Sequence, residues 1–169
     1  KNFASQSGGI VTLGGSPFMV RSSRQPTIAR SSTEAELISL NECIGWLMWA
    51  EQWLEEQDYA NIKSVIYEDN KSCLALIKKR VPTAEATRHF NIKTMFVCDV
   101  LKQSYRDMKL IYLRTTSMVA DLLTKGVTDQ LYHKFSEMLM TSHSQYEHYK
   151  ENPKDQLYCT PNSKNDGGI

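Results

Sequence analysis

The sequence predicts an α/β fold, and three observations carry that prediction. Two short apolar-rich runs, residues 10–13 and 18–21, are joined by Gly14, Gly15, Ser16 and Pro17, the composition of a β-hairpin turn. Residues 33–56 repeat apolar positions at helical spacing behind a capping signal, which makes one long helix. Two further strand-like runs, 64–69 (SVIYED) and 109–114 (KLIYLR), are each followed by a helical pattern. The order reads hairpin, helix, strand, helix, helix, strand, helix, before a last amphipathic helix.

The hairpin is followed by a polar connection, residues 22–30 (SSRQPTIAR), which together with Arg21 carries three arginines and reads as a solvated loop. In the long helix two start signals overlap, Ser31 with Glu34 and Thr33 with Glu36, both at capping-box spacing. Glu36 also lies in line with Leu40, Cys43, Ile44 and Leu47, the row that should face the core. It is either a cap residue or an acid aimed at the interior, and the spacing admits both. Trp46, Trp49 and Trp53 recur at helical spacing and read as core and edge packing rather than a base-stacking platform.

In the next unit Val65, Tyr67 and Asp69 share one strand face, and Asn70 caps a helix over 71–79. With Asn70 as the cap, Asp69 is left at the carboxyl edge of a strand, where open α/β sheets place their sites, or as a turn residue. Residues 80–87, with Pro82, read as a loop. A helix over 90–103 follows, its buried side expected at Ile92, Met95, Phe96, Val97 and Val100. His89, between Arg88 and Phe90, is a base, a phosphate contact or a surface residue. After the strand at 109–114, Ser117 should cap a helix opening MVADLLTK, with Asp121 near its start and Lys125 one turn on as an ion-pair partner. The last helix spans about 128–140, with Leu131, Phe135, Met138 and Leu139 on one side. Residues 142–169 have few aliphatics and many turn formers and read as a disordered tail.

A length of 169 residues, 41% hydrophobic and 23% charged, fits one globular domain with a sizeable core. A net charge of +1 confines any nucleic-acid binding to local patches. No apolar stretch approaches a membrane span. The cysteines at 43, 73, 98 and 159 show no metal-ligand spacing and read as reduced, mostly buried thiols of an intracellular protein. Glu36, Asp69 and Asp121 each stand at a helix start or a strand end. Carboxylates gathered at such edges are what a pair of Mg²⁺ ions needs, because hard cations take oxygen ligands.

Four stretches, SSTEAELISL, YEDNKSCLAL, RHFNIKTMFV and VADLLTKGV, resemble in this order the ribonuclease H domain at the end of the polyprotein of copia-type LTR retrotransposons, over residues 7–139. The resemblance implies a ribonuclease H-like mixed sheet of five strands flanked by helices. It also implies Mg²⁺-dependent endonucleolytic cleavage of RNA in RNA–DNA hybrids during reverse transcription. It puts the family's helix glutamate on Glu36, its strand aspartate on Asp69 and its last-helix aspartate on Asp121, the expected metal ligands. His89 with Arg88 matches the family's basic-His motif, and His89 completes the expected catalytic set. Arg21, Ser23, Asn70 and Arg88 are the expected contacts to the hybrid. The implied partners are the hybrid and, in a longer polyprotein, the reverse transcriptase domain. The implied location is a cytoplasmic virus-like particle or the nucleus, with no membrane and no small-molecule cofactor.

One departure accompanies the match. The family's first catalytic aspartate lies on a first strand ahead of the hairpin, the middle of the sheet, and residues 1–7 contain no Asp or Glu. The expectation is therefore an N-terminally truncated ribonuclease H-like domain over 1–141, lacking its central strand and leaving two strand edges unpaired. A catalytically inactive or co-opted remnant that binds nucleic acid or protein is the alternative. A retroviral-type integrase core shares the fold and also uses three acids, but SSTEAE is not its signature.

Overall fold

The structure, a computed structural model, describes residues 4–79, 88–103 and 105–140. The loop at 80–87, the tail at 142–169, Cys159 and the side chain of His89 lie outside that description. The chain is a mixed α/β protein. Strands β1 (Gln6–Leu13) and β2 (Ser16–Arg24) form an antiparallel hairpin. Its two-residue turn is Gly14-Gly15, both with positive φ (59° and 88°), the geometry that suits a tight hairpin and that only glycine adopts freely. Pro17 sits in β2 beside a register shift at Val11/Thr12, where a strand tolerates a residue without an N–H.

Helix α1 (Ser32–Glu56) begins where the sequence placed it. Of the two overlapping boxes, the first is used: Ser31 Oγ accepts from the Glu34 N–H at 3.1 Å, and the Glu34 carboxylate accepts from the Arg30 N–H at 2.7 Å. Glu36 is thus not needed as a cap. The hairpin lies against α1 at the closest approach a backbone permits. A Cβ on Gly9 would fall 2.3 Å from Cys43 Sγ and 2.7 Å from the Trp46 ring. Gln25 ties the two together, its Nε2 donating to Ser7 Oγ (3.0 Å) and to the Ala35 carbonyl (2.8 Å). The tryptophans pack along this edge: Trp46 lies under the Arg21 guanidinium, and Trp49 and Trp53 meet the Phe18 ring.

Strand β3 (Lys63–Glu68) pairs in parallel with β4 (Asp107–Tyr112), from Lys63↔Asp107 to Glu68↔Tyr112. Between them run α2 (Lys71–Lys79), capped by Asn70 Oδ1 accepting from the Cys73 N–H, and α3 (Arg88–Lys102). Leu37, Leu40 and Ile44 of α1 close one core with Ile66, Cys73, Ile77, Val97 and Leu101. The expected buried face of α3 is corrected here. Val97 and Val100 are buried, but Ile92 and Phe96 are 55% and 40% exposed, and Thr94, Cys98 and Leu101 take their place. The helix is turned so that Cys98 Sγ meets the Ile77 carbonyl of α2 at 3.3 Å, a contact that a count of large apolar residues overlooks.

A second correction follows β4. The helix expected from Ser117 is two short 3₁₀ turns, Thr115–Ser117 and Val119–Leu123, with no side-chain cap on either. A segment of one or two turns without a cap gains too little from α-helical bonds to dictate its form. It follows tertiary packing instead, lying so close to β1 that a Cβ on Gly8 would fall 2.6 Å from Thr124 Cγ2. Helix α4 (Asp129–Met140) buries Phe135 and Met138 in a second, smaller core with Val119, flanked by Ile10, Leu131 and Leu139.

Among the described residues the four strands make two two-stranded sheets, β1 with β2 and β3 with β4, each with an unpaired edge, as expected of a mixed sheet without its central strand. No described strand links β1 to β3. A groove bordered by both runs over α1 between them.

Candidate metal centre

The parallel pairing of β3 sends its carboxyl end toward the first turns of α1. Alternation along β3 turns Ser64, Ile66 and Glu68 inward and leaves Val65 43% exposed. Glu68 is therefore buried, at 6% exposure, and Asp69 follows it just beyond the strand. Glu68 Oε1 accepts from the Asn70 N–H at 2.9 Å, and Asp69 Oδ2 accepts from the Thr115 hydroxyl at 2.8 Å. Glu36 reaches the same place from α1. One carboxylate oxygen from each of Glu36, Glu68 and Asp69 lies within 4.8 Å of the others. Asp121, in the 3₁₀ turn, borders the same groove and pairs with Lys125 at 2.8 Å.

Burial raises three of these acids, and their mutual repulsion adds to it. Burial pushes the Glu68 carboxyl up from 4.5 to about 8; the Asn70 N–H opposes this, and the charges of Glu36 and Asp69 add to it. Glu36 is raised by burial first, then by Asp69 and Asp121, with Lys125 pulling the other way. Asp121 is raised by burial against the hydrogen bond and charge of Lys125, with Asp69 adding. For Lys125, burial works against the charged form, but its bond to Asp121 and the charges of Asp121, Asp69 and Glu36 outweigh it and hold the ammonium charged.

A set of hard oxygen donors that repel one another fits a Mg²⁺- or Mn²⁺-sized cation, which would replace proton and Lys125 as the neutralising charge. Glu36, Asp69 and Glu68 are the residues that could share one ion, and Asp121 flanks them. The structure thus brings Glu36 and Asp69 together and sets Asp121 beside them. Glu68 and Thr115 were not singled out in the sequence. The signal for Glu68 was available, since it shares the inward parity of Ile66 and directly precedes Asp69.

The remaining predicted site residues sit elsewhere. Arg21 and Ser23 lie on β2, Arg21 exposed with its guanidinium 5.5 Å from the Trp46 ring centre. Asn70 is half-buried and serves as the α2 cap. Arg88 is exposed at the first position of α3, and His89 follows it in the same turn.

No family model matches the chain, and no solved structure matches it. Its curated relatives are retrotransposon polyproteins. Over 138 residues, 82% of the chain, it is 26% identical to the retrovirus-related Pol polyprotein from transposon TNT 1-94 of Nicotiana tabacum. Over 123 residues, 73% of the chain, it is 26% identical to the Gag-Pol polyproteins of transposons Ty1-JR2 and Ty1-BL of Saccharomyces cerevisiae. The matched region is 10% of the tobacco protein and 7% of each yeast protein, so the chain corresponds to a small part of these relatives.

Proposed function

We propose that this retroelement-related chain is a ribonuclease H-type nuclease module, which cleaves the RNA strand of RNA–DNA hybrids with Mg²⁺ held by Glu36, Asp69 and Asp121. The observation that carries the reading is the meeting of the Glu36 and Asp69 carboxylates, with Glu68, at the carboxyl end of a parallel strand. Similarity to retrotransposon polyproteins supports it, since reverse transcription leaves RNA paired to new DNA. The arrangement of a hairpin and a parallel pair on either side of a groove supports a ribonuclease H-like sheet open at its centre.

The chain's own groups would act in distinct ways. The Thr115 hydroxyl fixes the Asp69 carboxylate, and Lys125 holds Asp121. Glu68 accepts from the Asn70 N–H at the strand end, and a bound cation would favour its carboxylate against the burial that raises it. Bound Mg²⁺ would supply an activated water and stabilise the leaving oxygen of the phosphodiester. Arg21, Ser23, Asn70 and Arg88 are proposed to contact the hybrid, read through its backbone and 2′-hydroxyls. His89 is proposed to assist beside them. A reverse transcriptase domain is the proposed partner, and a cytoplasmic particle or the nucleus the proposed location.

The test is cleavage of an end-labelled RNA–DNA hybrid in Mg²⁺ by the chain and by E36Q. RNA-strand cleavage that E36Q loses supports the reading. Folded protein that never cleaves overturns it and leaves a remnant, for which hybrid binding by electrophoretic shift is the next measurement.

A further inference from the structure

Three of the four acids at the metal centre have one carboxylate oxygen engaged by a donor of the chain itself. Glu68 Oε1 accepts from the Asn70 N–H at 2.9 Å, Asp69 Oδ2 from the Thr115 hydroxyl at 2.8 Å, and Asp121 Oδ2 from the Lys125 ammonium at 2.8 Å. The Thr115 bond is a product of the sheet. Parallel pairing puts Glu68 opposite Tyr112, and the Leu113 N–H donates to the Glu68 carbonyl, so β3 and β4 end together. Thr115, which opens the 3₁₀ turn after β4, therefore arrives level with Asp69 although the two are far apart in the chain.

We propose that Thr115 sets the cation selectivity of this centre: by holding Asp69 Oδ2 it leaves Asp69 one oxygen to offer, and so favours Mg²⁺ over Ca²⁺. Ca²⁺ takes carboxylates through one oxygen or both and accepts an irregular shell, whereas Mg²⁺ demands a compact octahedron and keeps several waters. A carboxylate with one oxygen tied to a hydroxyl cannot turn both toward an ion without giving up that bond. Selectivity between the two ions follows ligand number and flexibility, and hydrogen bonds behind the ligands fix both. The Asn70 and Lys125 bonds restrict Glu68 and Asp121 in the same way. Thr115 is the donor whose effect can be isolated. Asn70 donates from its backbone, and removing Lys125 removes a charge, but the Thr115 hydroxyl is neutral and belongs to a side chain. Thr115 is thus a positioning residue that acts on the ion through Asp69. This inference rests on the metal-centre reading and concerns which ion the centre takes, not whether RNA is cut.

The experiment is competition for Mn²⁺, which takes the same oxygen donors, read with the full chain from the electron paramagnetic resonance of free Mn²⁺. Mg²⁺ and Ca²⁺ are titrated in turn against the parent, T115V and T115S. In T115V, Mg²⁺ should bind about tenfold more weakly, the low end of what losing a ligand's hydrogen-bond partner costs. Ca²⁺ should bind as in the parent or more tightly, because Asp69 can then offer both oxygens. T115S keeps the hydroxyl and should keep the parent's ratio of Mg²⁺ to Ca²⁺ affinity. Equal weakening of both ions in T115V, or an unmoved ratio, overturns the proposal, since a merely structural Thr115 would affect both alike. So does a T115S ratio that shifts as far as that of T115V. T115A removes the same hydroxyl without the second methyl of valine, and it decides if T115V does not fold. Mn²⁺ that never binds the parent overturns the metal centre and this proposal together. Mn²⁺ that binds with an unmoved ratio overturns this proposal alone, so the two fail distinguishably.

Discussion

Glu68 should make the protein less stable as pH rises, and E68Q should remove that dependence. The carboxyl is raised from 4.5 to about 8 in the folded state, mainly by burial. Between those values the folded chain keeps a proton that the unfolded chain has released. Stability from this group is therefore full below pH 4.5 and lost as pH climbs toward 8, by about 1.4 kcal/mol per unit. Across the whole window the ceiling is on the order of 5 kcal/mol, which local relaxation and water entry reduce. Glutamine stays neutral and keeps an oxygen to accept the Asn70 N–H. E68Q and the parent should thus match near pH 4.5 and diverge upward, with E68Q more stable by several kcal/mol at pH 8. The assay is urea denaturation at pH 5, 6.5 and 8 in EDTA, because a bound cation would favour the carboxylate and mask the effect. Glu36 and Asp121 are raised as well, and they remain in both proteins. Equal pH slopes for the two proteins would refute the reasoning.

Other perturbations test the scaffold. Glu51 is buried and takes a hydrogen bond from Ser64 and an ion pair from Arg106, so R106A leaves a buried charge half-compensated; a loss of about 3 kcal/mol in urea denaturation is expected. S31A removes the α1 cap and should cost about 1 kcal/mol by the same measurement. G9A drives a methyl into Cys43 and Trp46 and should cost about 1–3 kcal/mol, partly recovered in G9A/C43A, where the sulfur is gone and the ring remains.

How far the sequence revealed the site follows from what each residue depends on. The Ser31–Glu34 cap, the Gly14-Gly15 turn and the Asn70 cap are local, settled by residues within four positions, and they stand where the pattern put them. The 3₁₀ turns and the buried face of α3 are not local. They depend on Gly8 meeting Thr124 and on Cys98 meeting Ile77, pairs far apart in the chain. Glu68 falls between these cases. Its inward parity was legible from Ile66, but strand patterns are scored by apolar residues, and an acid on the buried side counts as an interruption rather than a signal.

A buried acid at that position has a cost that a cation would offset. A carboxyl held near pH 8 against its own hydration is a burden on a domain whose total stability is of the order of 10 kcal/mol. Its hydrogen bond to Asn70 contributes only about 1 kcal/mol in return, and asparagine or glutamine could supply the same oxygen. The balance reverses if a divalent cation joins Glu36 and Asp69, since each carboxylate then gains a positive partner and the mutual repulsion becomes shared attraction. The proposed cation would thus offset burial and repulsion together at the point where the three carboxylates converge, which the hydrogen bond to Asn70 does not do.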